Sequence, residues 1–228
     1  MKKPPPAQGK ERAQPARLEP RWPVALAILA VLFVLTWLSS RARLFPSWVA
    51  YAIGIAPLLP IVGVWLSGAQ ARWLRIERIT TLCFSVIAEI STLAMLSFLV
   101  LGMLDRPTAF SGRQLLTSSI GAWLTNILAF SLVYWQIDRG GPEAWANNAI
   151  LKPDWLFPQS AASEEAPPDW RPTFVDYWFL SFSTATAFSP TDALPLTSRA
   201  KMLMMIESTV SLMTLVIVAS RAINILGS

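Results

Sequence analysis

TFVDYWFLSFSTATAF, residues Thr173 to Phe188, is the stretch that decides the fold of this chain. At the rise of an α-helix it would span about 24 Å, which is short for a hydrocarbon core of about 30 Å. We therefore expect a re-entrant helix that enters a membrane and turns back through Ser189 to Leu196. The apolar run from Ser198 to Leu226 then predicts a full membrane-spanning helix.

Polar side chains gather where the predicted re-entrant helix ends. Backbone that leaves a helix at membrane depth cannot face lipid, because its N–H and C=O groups would lack partners; it must be buried in protein or line a polar cavity. We expect four side chains here to lie near an ion path: Ser183, Thr184, Thr186 and Asp192. For Asp192 a structural role is the alternative, since Asp stabilises turns by bonding to nearby backbone.

The order of a short helix, a turn and a spanning helix resembles the pore helix, filter and inner helix of the potassium-channel superfamily. The resemblance extends from the helix that ends at Ile137 to Leu226, and it implies a pore loop that conducts ions. A potassium filter needs glycines so that successive carbonyls point at the ion. The segment TATAFSPTD, Thr184 to Asp192, has no glycine, so the resemblance does not imply potassium selectivity.

Three further segments resemble a family of bacterial membrane proteins of unknown function that share this pore-loop layout. They are YWQIDRGGP (Tyr134 to Pro142), FPQ (Phe157 to Gln159) and DYWFLSFSTATAFSPTD (Asp176 to Asp192). The resemblance implies a multi-pass protein of the bacterial inner membrane. It implies no particular activity.

The composition places the chain among polytopic membrane proteins. Of its 228 residues 54% are hydrophobic and only 14% are charged, which leaves no room for a separate soluble domain. The single Cys83 excludes a disulfide framework within one chain. The absence of histidine excludes imidazole ligands and imidazole acid–base catalysis. We therefore expect no enzyme activity, no metal centre and no cofactor.

The N-terminal tail, residues 1–21, carries six Lys and Arg residues among five prolines. Such a segment is too polar and too rich in proline to fold alone, and we expect it to lie disordered against anionic lipid headgroups. Nucleic-acid binding is not expected.

Apolar runs predict four membrane spans between residues 22 and 137. They are Trp22–Leu38, Ser47–Leu66, Ile79–Leu104 and Gln114–Ile137. The loop Asp138–Pro172, rich in Pro, Trp and acidic residues, is predicted to cap the membrane surface. The fold class is therefore all-α integral membrane, with five spanning helices and one re-entrant helix and turn in residues 173–228. Ser198 is expected to be the N-cap of the last helix.

Positive charge favours a cytoplasmic N-terminus. Nine Lys and Arg residues lie on that side, six in the tail and three in the loop with Arg72, Arg75 and Arg78; four lie opposite, namely Arg41, Arg43, Arg106 and Arg113. With four spans before it, the pore-type turn would then face the cytoplasm, opposite to a potassium-channel filter. Either the orientation differs from those channels or one predicted span is wrong.

Two carboxyl groups fall inside predicted spans, where an ionised side chain costs about 2.5–3.5 kcal/mol. Glu89 lies in the third span, and Glu207 in the last begins a stripe at helical spacing. The other members of the stripe are Ser211, Thr214, Val218 and Arg221. One interpretation makes both glutamates and Ser211 ligands of an ion or proton. The other makes them buried packing partners that bond to Asn126 and to neighbouring Ser and Thr residues.

These patterns favour a pore-loop, channel-like protein that binds or conducts a small inorganic cation. Its expected partners are the lipid bilayer and further copies of itself, because a single chain encloses no obvious pore. One alternative is a non-catalytic membrane scaffold or assembly factor. Another is an ion-coupled secondary transporter, in which Pro57 and Pro60 break a helix near Glu89.

Overall fold

The computed structural model describes residues 19–39, 53–68, 70–105, 111–147, 151–161, 166–167, 170–186 and 193–226, and all structural statements concern these. They are mostly helical, as predicted. The helices are α1 (Trp22–Ser39), α2 (Leu58–Ser67), α3 (Ala71–Asp105), α4 (Gly112–Ile137), α5 (Gly141–Ala146), α6 (Pro158–Ala161), α7 (Phe174–Thr186) and α8 (Ser198–Leu226). A 3₁₀ turn covers Asp138–Gly140, and β1 (Trp155–Leu156) pairs antiparallel with β2 (Leu194–Pro195).

Three stretches of helix are long and apolar enough to cross a membrane: Ala71–Gly102, Gly112–Ala144 and Ser198–Val218. Two shorter apolar helices, Trp22–Trp37 and Ile53–Ser67, cover parts of the first two predicted spans. The prediction of an all-α chain with membrane-compatible helices is confirmed at this level. Residues 1–18 of the basic tail, residues 187–192 of the turn, and Asp192 with them, lie outside the described residues.

The start of the third predicted span was wrong. α3 begins at Ala71 rather than Ile79, so three arginines that were predicted to lie in a loop lie on its first turns: Arg72, Arg75 and Arg78. Gly68, with φ of 64°, ends α2 in the left-handed conformation, and the chain turns there. Arg, Leu and Ile continue a helix readily, so nothing after this turn delays the start of α3.

The break that was predicted near Pro57 is present. The apolar helix Ile53–Ser67 contains a turn at residues 56–57, and α2 proper begins at Leu58. Proline lacks an N–H and clashes with the preceding turn, which accounts for the interruption.

The loop Asp138–Pro172 packs against the bundle through Trp155. This residue is 0% exposed; its ring lies 4.7 Å from that of Tyr134, and its backbone pairs with Pro195 in the β1–β2 ladder. The loop is therefore partly folded into the bundle. A two-residue ladder has no sequence signal of its own, because alternation needs at least four residues to be recognised.

α4 is the central helix and packs against α1, α3, α7 and α8. Every residue from Thr125 to Leu132 is buried. Gly121, Ala122 and Ala129 are small enough to allow close approach of neighbouring backbones. The central part of this helix therefore faces protein.

The N-cap of α8 is Thr197 and not Ser198. The Thr197 hydroxyl accepts a hydrogen bond from the Ala200 N–H at 3.2 Å, as an N-cap side chain does for the third residue of the helix. The same hydroxyl lies 2.6 Å from Asp154 Oδ1. The cap therefore also ties α8 to the folded loop.

Gly141 provides a test of the connection after α4. Its φ of 71° and ψ of −169° lie in a region open almost only to glycine, and an added Cβ would lie 2.4 Å from the Gln136 carbonyl oxygen. Gly141→Ala should destabilise the folded protein by about 3 kcal/mol. Gly68→Ala is the matched control: its φ is also positive but a Cβ meets nothing within 4 Å, so about 1 kcal/mol is expected. Thermal unfolding in detergent micelles measures both, and equal losses would contradict the backbone clash.

Candidate functional site

The side chain of Glu207 lies at the junction of three helices and is 0% exposed. Its carboxyl group accepts a hydrogen bond from the Tyr134 hydroxyl of α4 and contacts the Ser181 hydroxyl of α7. Ser181 Oγ also lies 2.7 Å from the Ile127 carbonyl oxygen of α4. A single carboxyl group on α8 thus connects α4 and α7.

Asn126 brings a second polar group of α4 to the same place. Its side-chain NH₂ donates to the backbone carbonyl oxygen of Glu207 at 3.1 Å and to Ser211 Oγ at 2.8 Å. The predicted polar stripe of α8 therefore faces α4, and Ser211 and Thr214 are both buried. The sequence interpretation in which Glu207 has Asn126 and hydroxyl neighbours describes these contacts correctly.

Glu89 of α3 lies within electrostatic reach of both Glu207 and Tyr134. Both of its carboxyl oxygens are buried and have no hydrogen-bond partner among the described residues. Ser85 and Thr92, which lie four residues before and three residues after Glu89 on the same helix, are also buried. The structure therefore brings the two predicted intramembrane carboxyl groups into one region.

The predicted hydroxyls at the end of α7 serve mainly their own helix. Thr184 Oγ1 donates to the Leu180 carbonyl at 2.8 Å, and Thr186 Oγ1 donates to the Phe182 carbonyl at 3.0 Å. Ser183 and Thr184 are buried, and the Thr184 carbonyl accepts a bond from Ser208 of α8 at 3.3 Å.

A cavity of about 60 Å³ adjoins Ser183 on α7. Its polar wall includes Asp176 and Gln159. Asp176 also accepts hydrogen bonds from the Thr173 N–H at 2.7 Å and the Thr173 hydroxyl at 2.8 Å. A carboxylate in the first turn of a helix commonly bonds in this way and favours the positive end of the helix dipole.

Tyr134 is the site residue that the sequence analysis did not identify. It lies eight residues after Asn126 on α4, and residues at such spacing share one helix face. This spacing from Asn126 was the sequence signal that could have identified Tyr134. An aromatic residue in an apolar helix nevertheless suggests core packing, and only the fold shows its hydroxyl reaching α8.

A second polar layer lies at the C-terminal end of α4. Asp138 accepts hydrogen bonds from the Tyr177 hydroxyl of α7 and from the Asp154 N–H, both at 2.6 Å. Asp154 in turn pairs with the guanidinium of Arg199 and with the Thr197 hydroxyl. This layer fastens α7, the β1 segment and the start of α8 to the end of α4.

The segment before α1 joins the same layer. Glu19 accepts hydrogen bonds from the Trp135 indole N–H at 3.0 Å and from the backbone N–H of Phe174, the first residue of α7. Arg21 Nε lies 3.2 Å from Glu77 Oε1, and its guanidinium lies 5.1 Å from the centre of the Trp135 ring.

Among the described residues there is no group of three or more His, Cys, Asp or Glu side chains that could hold a metal ion. Comparisons with protein-family models, with curated proteins and with solved structures found no match. The geometry of the residues themselves therefore has to support any functional proposal.

Glu19 gives a pH-dependent test of the layer at the end of α4. Burial, the largest cause, raises the pKa of Glu19 above its ordinary value of 4.5, while the bonds from Phe174 and Trp135 offset part of the rise. A raised folded-state pKa means that the folded chain binds the proton more tightly than the unfolded chain. The stabilisation is therefore complete below pH 4.5 and is lost as the pH rises through the folded-state value.

We expect Glu19→Gln, which cannot ionise, to remove this dependence. The melting temperature of the wild type relative to this variant should fall as the pH rises from about 4 to about 7. Thermal unfolding in detergent across that range measures the difference. A difference that grows with pH would mean that the bonds to the ionised carboxylate outweigh its burial.

Proposed function

We propose that this chain is a pore-loop, channel-like membrane protein that binds or conducts a small ion, with Glu207 as the ion-binding residue. The observation that supports it most is the enclosed Glu207 carboxyl, which is held by hydroxyls from α4 and from the pore-type helix α7. Glu207 lies nine residues into α8, about 14 Å along the helix. Carboxyl groups at such depth are costly and are functional-site hypotheses by default.

The path of α7 supports a re-entrant arrangement. Its first residue, Phe174, is bound by Glu19 beside Trp135, near the C-terminal end of α4. From there α7 runs along α4 to Ser181, which contacts Ile127. The chain then returns to the same end, because β2 pairs with β1 next to Asp154, and Asp154 is bound to Asp138. Entry and return on one side are what a pore helix and its loop require.

Oligomerisation is part of the proposal. Within the described part of one chain Glu207 is fully enclosed, so an open path would have to involve movement or several copies around an axis. α8 presents an exposed apolar face that could meet lipid or other copies; it includes Met202, Met205, Ile206, Leu212, Met213 and Val216. By analogy with the bacterial family that the sequence resembles, we propose an inner-membrane location; the distribution of Lys and Arg residues supports a cytoplasmic N-terminus.

Ion flux through purified protein in liposomes tests the function, with K⁺, Na⁺ and H⁺ measured in turn. Glu207→Gln should lower the flux of the transported ion by about tenfold or more, equivalent to a barrier change of about 1.4 kcal/mol. Thr184→Ala should also alter the flux. Thr209→Ala is its matched control, because Thr209 likewise donates to the carbonyl four residues earlier but is exposed on α8.

Size-exclusion chromatography of each variant controls for assembly. Equal flux in Glu207→Gln and wild type would remove Glu207 from the path. Silence for all three ions from a folded oligomer would reject the channel proposal.

A membrane scaffold or assembly factor is the second candidate. It is favoured by one observation: the hydroxyls of Thr184 and Thr186 are bonded to carbonyl oxygens within α7. Such a protein would show the same variants changing only its stability or its retention of a partner. Silent liposomes, with Glu207→Gln lowering the melting temperature, would support this candidate.

A further inference from the structure

Three close oxygen–oxygen contacts surround the Glu207 carboxyl group, but the two hydroxyl groups that take part supply only two hydrogens. If the carboxyl group is ionised, one of the three contacts therefore has no hydrogen. The Ser181 hydroxyl has one hydrogen but two acceptors in reach, the Ile127 carbonyl at 2.7 Å and Glu207 Oε1. If Glu207 Oε1 carries a proton, it donates to Ser181 Oγ while Ser181 donates to Ile127. The Tyr134 hydroxyl donates to the other oxygen, Oε2. Each of these three oxygen–oxygen contacts then contains one hydrogen.

The surroundings of Glu207 contain no compensating positive charge among the described side chains. The polar groups that face it are Tyr134 and Asn126 of α4, Ser181 of α7, Ser211 of α8 and Glu89 of α3. The ion pairs of the described residues lie elsewhere, at the end of the bundle with Asp138 and Glu77. A buried ion without a counter-ion is far more costly than a neutral, hydrogen-bonded carboxyl group.

The site offers little to a metal cation. Hard divalent cations take six or more oxygen ligands in proteins or keep part of their water shell. Glu207 has hydrogen-bonding hydroxyls on both carboxyl oxygens, and no acidic cluster suited to a metal occurs in the described residues. A proton needs only one acceptor oxygen and no additional space.

Glu89 supplies a second place for a proton. Both of its carboxyl oxygens are buried and unpartnered among the described residues, and it interacts electrostatically with Glu207 and Tyr134. Two coupled carboxyl groups in a medium of low dielectric constant titrate as a pair rather than as independent acids.

We propose that the ion bound at this site is a proton, which is held on the Glu207 carboxyl group. The proposal rests on the proposed function for the choice of site. Binding breaks an O–H bond of hydronium, leaves water and forms one O–H bond on Glu207 Oε1; release returns the proton to water. No other reactant is required.

Infrared difference spectroscopy of the protein in lipid membranes tests the proposal without any transport measurement. At neutral pH the wild type should show the carbonyl stretch of a protonated carboxyl group, and the band should shift in D₂O. Glu207→Gln should remove the Glu207 component of this band, whereas Glu89→Gln should leave that component in place. Thr209→Ala, an exposed change on the same helix, should leave it unchanged.

Two further variants keep the test informative if Glu207→Gln does not fold. Tyr134→Phe removes a donor to Glu207 and should shift the band, whereas Tyr177→Phe removes an equivalent donor to Asp138 and should leave it in place. A Glu207 side chain that is ionised at neutral pH would produce none of these spectral changes.

The spectroscopic and flux measurements test proton binding and ion conduction separately. A Glu207 band in a protein that is silent in liposomes would support proton binding and reject conduction. Flux of Na⁺ or K⁺ that depends on Glu207, with no protonated carboxyl band in the wild type, would contradict proton binding at Glu207 but would support the channel proposal. A carboxyl band of unchanged area in folded Glu207→Gln would also overturn the proposal.

Discussion

The arrangement of the bundle depends on the need to satisfy one buried carboxyl group. Glu207 is out of reach of solvent, so its hydrogen bonds must come from the protein, since an unpaired polar group in such a place costs several kcal/mol. Tyr134 and Ser181 provide them from two different helices, and Asn126 holds the adjacent backbone. The contacts therefore fix α4, α7 and α8 relative to one another more specifically than apolar packing would.

The sequence predicted those features that depend on local patterns. The apolar run that ends at Leu226 and the helix that ends at Ile137 before Gly140 were located well, because their lengths and stop signals are local. The position of Glu207 and its stripe also followed from helical spacing. The start of α3, by contrast, was hidden because charged helix formers extend a helix beyond its apolar part.

The partners of Glu207 could be predicted only in part. Asn126 stood out as a polar residue in an apolar helix, but Tyr134 and Ser181 become partners only when three separate segments meet. The same applies to the layer around Asp138, whose partners come from α7 and from the folded loop. Such contacts are long-range in sequence, and no local propensity encodes them.

The two polar layers are linked through matching positions on α4 and α7. On α4, Tyr134 precedes Asp138 by four residues, and on α7, Tyr177 precedes Ser181 by four. Tyr177 bonds to Asp138 in one layer, and Ser181 contacts the carboxyl group that Tyr134 also binds in the other. A shift of α7 along α4 would therefore break both layers together. Glu19 binds the first residue of α7, and β2, which follows α7 in the chain, pairs with β1. Movements of these two attachments are therefore expected to shift α7 and to reach the buried carboxyl group directly.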